Sequence, residues 1–387
     1  MRPWIPASLA AALLLSSCQG ASSAARPELK PSAPAVTPSA GSATPSPPAP
    51  SPFTGDLYAA DRPGMLSPEA RLAKPLVYVP DDRNNRVDVI DPTTYRVIRE
   101  VPVGRLPQHV TPSWDLRTLW VDNDMGNSLT PIDPRTGAFG SPVKVADPYN
   151  LYFTLDGRSA VVVAERLRRL DFRDPRTMAL QQTVHVPCQG VDHADFSVDG
   201  THALFSCEFG GQLLWVDMVH RRVDRVIDLP RETGRRPKPQ DVKLSPDGRT
   251  YYVADENSNG VYELDALSLK VKRFVTTGLG AHGLYVSRDS KDLYVTNRHS
   301  GSVAVMSFAT GQIRTYFPIP GGTPDMGGVS ADGTVLWLSG RYTGEVYAID
   351  TRTGKLLARI KVGGEPHGLC VWPQPGRFSL GHTGVLR

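Results

Sequence analysis

The side chains best placed for chemistry in this sequence are histidines, and four of the nine recur in one setting. His109, His193, His282 and His367 each open a short run, written Pro-Gln-His-Val, Val-Asp-His-Ala, Ala-His-Gly-Leu and Pro-His-Gly-Leu. Asp192, Asp241 and Asp325 hold equivalent positions, and Arg298 and Arg341 lie in loops expected to reach the same side. An imidazole changes charge near neutral pH, and a guanidinium can grip an anionic group bidentately. His109, Asp192, His193, Asp241, His282, Asp325 and His367 are therefore the candidate ligand-binding ring, with Arg298 and Arg341 as anion contacts. The competing reading is a solvated rim, whose polar residues need no function.

Several reaction classes are excluded by motif. There is no Cys-x-x-Cys-His, no His-Glu-x-x-His, no Gly-x-Ser-x-Gly and no phosphate-cradling Gly-x-x-x-x-Gly-Lys-Ser/Thr. No metal site is expected either. The four histidines come from alternate units, and zinc–nitrogen bonds of about 2.0–2.1 Å cannot gather ligands across a wide channel. The residues name no cofactor and no catalytic group.

The elements that must position this ring come from a repeat. From Leu76 to about residue 377 the sequence returns to itself seven times, in units near 76–117, 118–158, 159–201, 202–249, 250–291, 292–334 and 335–377. Each unit holds four short runs rich in Val, Ile, Tyr and Leu, separated by turns. Asp156-Gly157, Asp199-Gly200, Asp247-Gly248 and Asp332-Gly333 mark tight hairpins, where glycine supplies the positive φ. Asp91-Pro92, Asp133-Pro134 and Asp174-Pro175 open a second set of turns. Four strands per unit at this period predict an all-β fold, a seven-bladed β-propeller of four-stranded blades.

The units resemble the YVTN repeats of YncE-like seven-bladed propellers, in Leu293-Tyr294-Val295-Thr296-Asn297, Val346-Tyr347-Ala348-Ile349-Asp350 and Pro366-His367-Gly368-Leu369. The resemblance covers 76 to about 377, with the second and third units the poorest match. It implies that the Pro-His-Gly strand is innermost, so that residues 365–372 close the ring as inner partner of the first unit. It also implies a broad range of roles. The leading expectation is a non-catalytic binding or scaffold propeller that recognises a ligand or protein partner at the channel mouth. The alternative is an enzyme or cofactor carrier, because the fold resembles the d1-haem domain of nitrite reductases and lactonases of the same blade number. A tetrapyrrole lying across the mouth, a metal-dependent propeller enzyme and a lactonase-like hydrolase all belong to that alternative.

The N-terminus reads as an address. Arg2, the apolar run from Leu9 to Leu15 and Leu15-Ser16-Ser17-Cys18 follow the order of a secretory signal, and the last four residues look like the lipobox of bacterial lipoproteins. Residues 1–18 are expected to be a lipoprotein signal with Cys18 lipidated, 19–56 a Pro/Ala/Ser-rich disordered tether, and 57–387 the propeller. Export permits a disulfide, and Cys188 and Cys207 fall at the same end of one predicted hairpin; Cys370 is expected to be a buried small hydrophobe. The 43 basic and 39 acidic residues are interspersed, so no basic stripe suggests nucleic acid. A monomer, exported and held at the membrane by its lipid alone, is expected.

Overall fold

The computed structural model describes residues 53–382 and 385–387. Cys18, the signal and most of the expected tether lie outside them. The described chain forms seven antiparallel sheets in a ring, the predicted seven-bladed β-propeller. Six blades follow chain order. Their inner strands are Pro107–Pro112, Asn150–Phe153, Val191–Phe196, Pro239–Leu244, Ala281–Val286 and Pro324–Val329. The remaining blade pairs Leu76–Asp81, Arg86–Asp91 and Arg96–Pro102 with Cys370–Trp372 as its inner strand. Leu76, Val77 and Tyr78 face Trp372, Val371 and Cys370, so the ring closes where the repeat register requires. The second blade fits the repeat worst at its outer edge. There the fourth strand is split into Ala138–Phe139 and Val143–Lys144, both on Ser128–Asp133.

The hairpin turns form as their residues dictate. Gly157, Gly200, Gly248 and Gly333 have φ between +66° and +78°. The preceding aspartate accepts from a hydroxyl two residues earlier, as in Thr154 Oγ1 to Asp156 at 2.6 Å and Ser330 Oγ to Asp332 at 2.5 Å. Between blades, apolar faces interlock. Tyr152, Phe172, Phe196 and Phe205 are fully buried and share one cluster; large apolar side chains of this kind each contribute roughly 1.5–3 kcal/mol on burial. The Cys188–Cys207 disulfide is present, with Cα atoms 6.1 Å apart. Cys370 is buried, and burial pushes its thiol pKa up.

Both chain segments outside the repeats cover the hairpin face. Leu57 donates to the Pro246 carbonyl at 2.8 Å, and Tyr58 Oη to the Leu244 carbonyl at 2.7 Å. From the other end of the chain, Gly381 bridges Tyr152, Leu380 and Val385 enter the core, and Arg387 donates to Asp195 at 2.7 Å.

Candidate functional site

The inner strands are irregular at the site residues. Val191 pairs with Cys207 and Ala194 with Phe205, so Asp192 and His193 together oppose Ser206 alone. The same two-against-one bulge occurs at Gln108-His109, Gln240-Asp241, His282-Gly283 and Asp325-Met326. In the closing strand Asp81 pairs with Pro366 while Tyr78 pairs with Cys370, so an extra residue is accommodated beside His367. A β-bulge interrupts the strict alternation of side chains and re-aims the residues it contains. Hydroxyls opposite the bulge satisfy the displaced backbone: Ser206 Oγ accepts from His193 N at 3.0 Å, and Thr296 Oγ1 from Gly283 N at 2.7 Å.

These bulges bring four imidazoles around the axis. Centroid separations are 5.8 Å for His109–His193, 6.0 Å for His193–His282, 6.3 Å for His282–His367 and 4.8 Å for His367–His109. A fifth ring, His382, lies 4.9 Å from His109 and 4.5 Å from His193. The expectation of a wide, wet channel at this level is corrected. The four ring histidines are at most 2% exposed, and Asp192, Asp241 and Asp325 at most 1%. Desolvation holds all five imidazoles neutral, with His109 brought down to about 3. His382 carries no repeat signature because it lies beyond the last unit.

The predicted residues divide into distinct groups. His282, Asp325, His367 and Arg298 form one network. Arg298 Nε donates to Asp325 at 2.7 Å, Nη2 to His282 Nε2 at 2.6 Å, and Nη1 to Glu256 at 3.1 Å. His282 Nδ1 and His367 Nε2 lie 3.1 and 3.6 Å from the Asp325 carboxylate. All three nitrogens of this guanidinium are thereby engaged, so Arg298 is not the open anion contact expected of it. Arg341 reaches Asp82 at 3.1 Å, with about a fifth of its side chain exposed. Asp241 is turned to backbone, accepting from Val242 N at 3.0 Å and Leu284 N at 2.9 Å. His109 Nδ1 donates to the Tyr149 carbonyl at 2.8 Å. The Asn150 amide bonds His193 Nδ1 and His382 Nδ1, each at 3.0 Å.

Asp192 stands apart. Its carboxylate lies 3.2 Å from His193 Nε2, but neither oxygen makes a well-aligned hydrogen bond. Burial, then the charges of Glu208 and Glu165, push its pKa well up. Glu165 is pushed up to about 7 by burial and Glu208. This side of the mouth is rich in carboxylates, with Lys238 3.1 Å from Glu208. Two axial sets of three groups have ligand atoms within 4.8 Å of one another and could hold a metal: His109, His193 and His382, and His282, Asp325 and His367. The reach argument against a metal therefore does not apply to this geometry.

Among known proteins, the profile described as a YNCE-like beta-propeller matches residues 60–375. The chain belongs to this family. As a YNCE-like propeller it is 21% identical to the protein YncE of Salmonella typhi over 67% of its own length and 75% of that protein's. Its structure is similar to that of the periplasmic gluconolactonase PpgL of Pseudomonas aeruginosa, with a TM-score of 0.63 at 19% identity over 78% of this chain and 99% of that one. It is also similar to dihydro-heme d1 dehydrogenase NirN, solved in complex with DHE, with a TM-score of 0.57 at 16% identity over 84% and 83%. At such identity these likenesses establish a shared fold.

Proposed function

We propose that this YNCE-like propeller is an exported, lipid-tethered binding or scaffold protein whose ligand is recognised where the inner strands begin. The observation that carries this reading is the recurrence of the bulge, which in six blades turns site residues toward the axis at the expense of regular pairing. Bulges of this kind concentrate next to functional sites. The carboxylates around Asp192, with Arg298 and Arg341 paired internally, favour a ligand with a positively charged group. The chain enters the propeller at the hairpin face, where Leu57 is hydrogen-bonded.

The test is a thermal-shift panel of soluble amines, polyamines and cationic peptides on the purified full chain. A compound that raises the melting temperature is then measured on Asp192→Asn with Glu165→Gln, and on the hairpin pair Asp156→Asn with Asp247→Asn. The shift should vanish in the first pair and persist in the second. Equal loss from both, or no stabilising cation at all, would return the mouth to a solvated rim. A visible absorption band on the purified protein, or turnover in a lactone-hydrolysis screen, would replace the binding reading with a tetrapyrrole carrier or a hydrolase.

A further inference from the structure

Beneath the mouth, the imidazoles contributed by the second and fourth blades and by the C-terminal segment face one another. We propose that His109, His193 and His382 form a three-imidazole site for a first-row divalent transition metal on the propeller axis. Its ligands are imidazoles and not the mouth carboxylates, although Asp192 lies 3.2 Å from His193 Nε2.

The geometry is close to that of a loaded site. The three ligand atoms lie within 4.8 Å of one another, so a common point exists no more than about 2.8 Å from each. Zinc–nitrogen bonds of about 2.0–2.1 Å thus require the rings to close in by less than about 1 Å. His109 is already in the ligating tautomer. Its Nδ1 faces the Tyr149 carbonyl, which can only accept, so the proton sits on Nδ1 and Nε2 presents its lone pair. That Nε2 is buried with no hydrogen-bond partner, whereas His193 Nε2 lies 3.2 Å from the Asp192 carboxylate. A buried polar atom left without a partner is costly and calls for an explanation, and a metal ligand is one. Anchoring the remote ring nitrogen is also how metal-bound histidines are generally held.

Asn150 sets the terms of binding. Its Nδ2 donates to His193 Nδ1 and its Oδ1 accepts from His382 Nδ1. The ring that receives the donated hydrogen bond keeps its own proton on Nε2. Metal entry must move that proton to Nδ1 and break one Asn150–imidazole hydrogen bond. A carboxylate in place of the amide would accept from both rings and ready both Nε2 atoms. The second axial set is poorer. Arg298 donates to His282 Nε2, which places the proton of neutral His282 on the Nδ1 that faces Asp325.

The experiment titrates the chelator-stripped full chain with Co(II), followed by its visible ligand-field bands, and with Zn(II), followed by calorimetry. One equivalent should bind. His382→Gln and His109→Gln should each weaken binding at least tenfold, and Asn150→Asp should strengthen it by about tenfold or more. His185→Gln, on the outermost strand of the third blade, should bind as the parent does. Near-UV circular dichroism verifies folding of each variant, and His382→Gln carries the test if His109→Gln does not fold. Absence of cobalt bands, affinity unchanged in His382→Gln, or affinity unchanged or lower in Asn150→Asp would overturn the proposal. Loss of binding in Asp192→Asn with Glu165→Gln, but not in the histidine variants, would move the cation to the mouth and also overturn it.

Discussion

Gly368 packs against His109 so closely that a Cβ added to it would lie 2.0 Å from the imidazole Cδ2. The two residues also form a parallel bridge, with Gly368 N donating to the Gln108 carbonyl at 2.9 Å and Val110 N to the Gly368 carbonyl at 3.0 Å. The closing strand and the first axial histidine are therefore one structural unit. Gly368→Ala should lower stability by about 1–3 kcal/mol, the range for overpacking a filled core. Gly328→Ala, whose new methyl would first meet the movable end of Gln374 at 3.1 Å, should cost much less. Urea midpoints of the two variants decide the matter; equal losses would show that the Gly368 contact relaxes freely.

Ring closure can be tested by shortening the chain. A protein ending at Gly364 lacks Cys370–Trp372 and the Gly368 bridge, exposing Leu76–Asp81 as an open edge. It should fail to fold. A soluble fragment that melts cooperatively would refute the role given to the closing strand.

The disulfide joins cysteines 19 residues apart. In the chain-entropy account a loop of that length stabilises by about 3 kcal/mol. Cys188→Ala with Cys207→Ala should lower the urea midpoint accordingly. Dithiothreitol should reduce the parent's stability by a similar amount and leave the variant unchanged. An unaffected parent would show that the bond constrains little.

Asp61 gives a pH signature. Burial pushes its carboxyl up to about 7, against the opposing charges of Arg288, Arg387 and Lys243 and with Asp56 adding to the rise. Between about pH 4 and 7 the folded protein holds a proton here that the unfolded chain has released, so this group's contribution to stability falls as pH rises and levels off above 7. Asp61→Asn removes the titration. Its stability should gain on the parent's by about 2 kcal/mol from pH 5 to pH 7 and change little from 7 to 8. Urea melts at each pH measure the difference, and a constant gap would contradict the assignment.

Lipid tethering is tested at Cys18, which lies outside the described residues. Cys18→Ala should move the protein from the detergent phase to the soluble fraction at an unchanged melting temperature. A variant that still partitions with detergent would rule out this anchor.

The architecture was legible because its signals are local and repeated. Asp-Gly and Asp-Pro turns, four apolar runs per unit and the Pro-His-Gly strand were enough to place seven blades, the closing strand and the Cys188–Cys207 pair. The site was only half legible. Equivalent positions such as Asp192-His193 and His282-Gly283 could be aligned, but alternation alone does not reveal a bulge, and the bulge decides where those side chains point. The closeness of the imidazoles depends on side-chain reach across blades, which no local pattern encodes. His382 and Arg387 escaped notice because they belong to a segment with no period, held by contacts to Asn150 and Asp195, 232 and 192 residues away in sequence.

The bulged inner strands bear on how such proteins diverge. At each bulge the ladder resumes in register on the far side, as Ala194 with Phe205 and Leu284 with Val295 show. The residues within it are thus partly released from the demands of sheet pairing. Histidine, aspartate, glutamine, glycine and methionine all occupy these places within this one chain. A scaffold built this way can exchange its axial chemistry one blade at a time without redesigning its strands, so descendants of a common ring can come to hold unrelated ligands while keeping the same backbone.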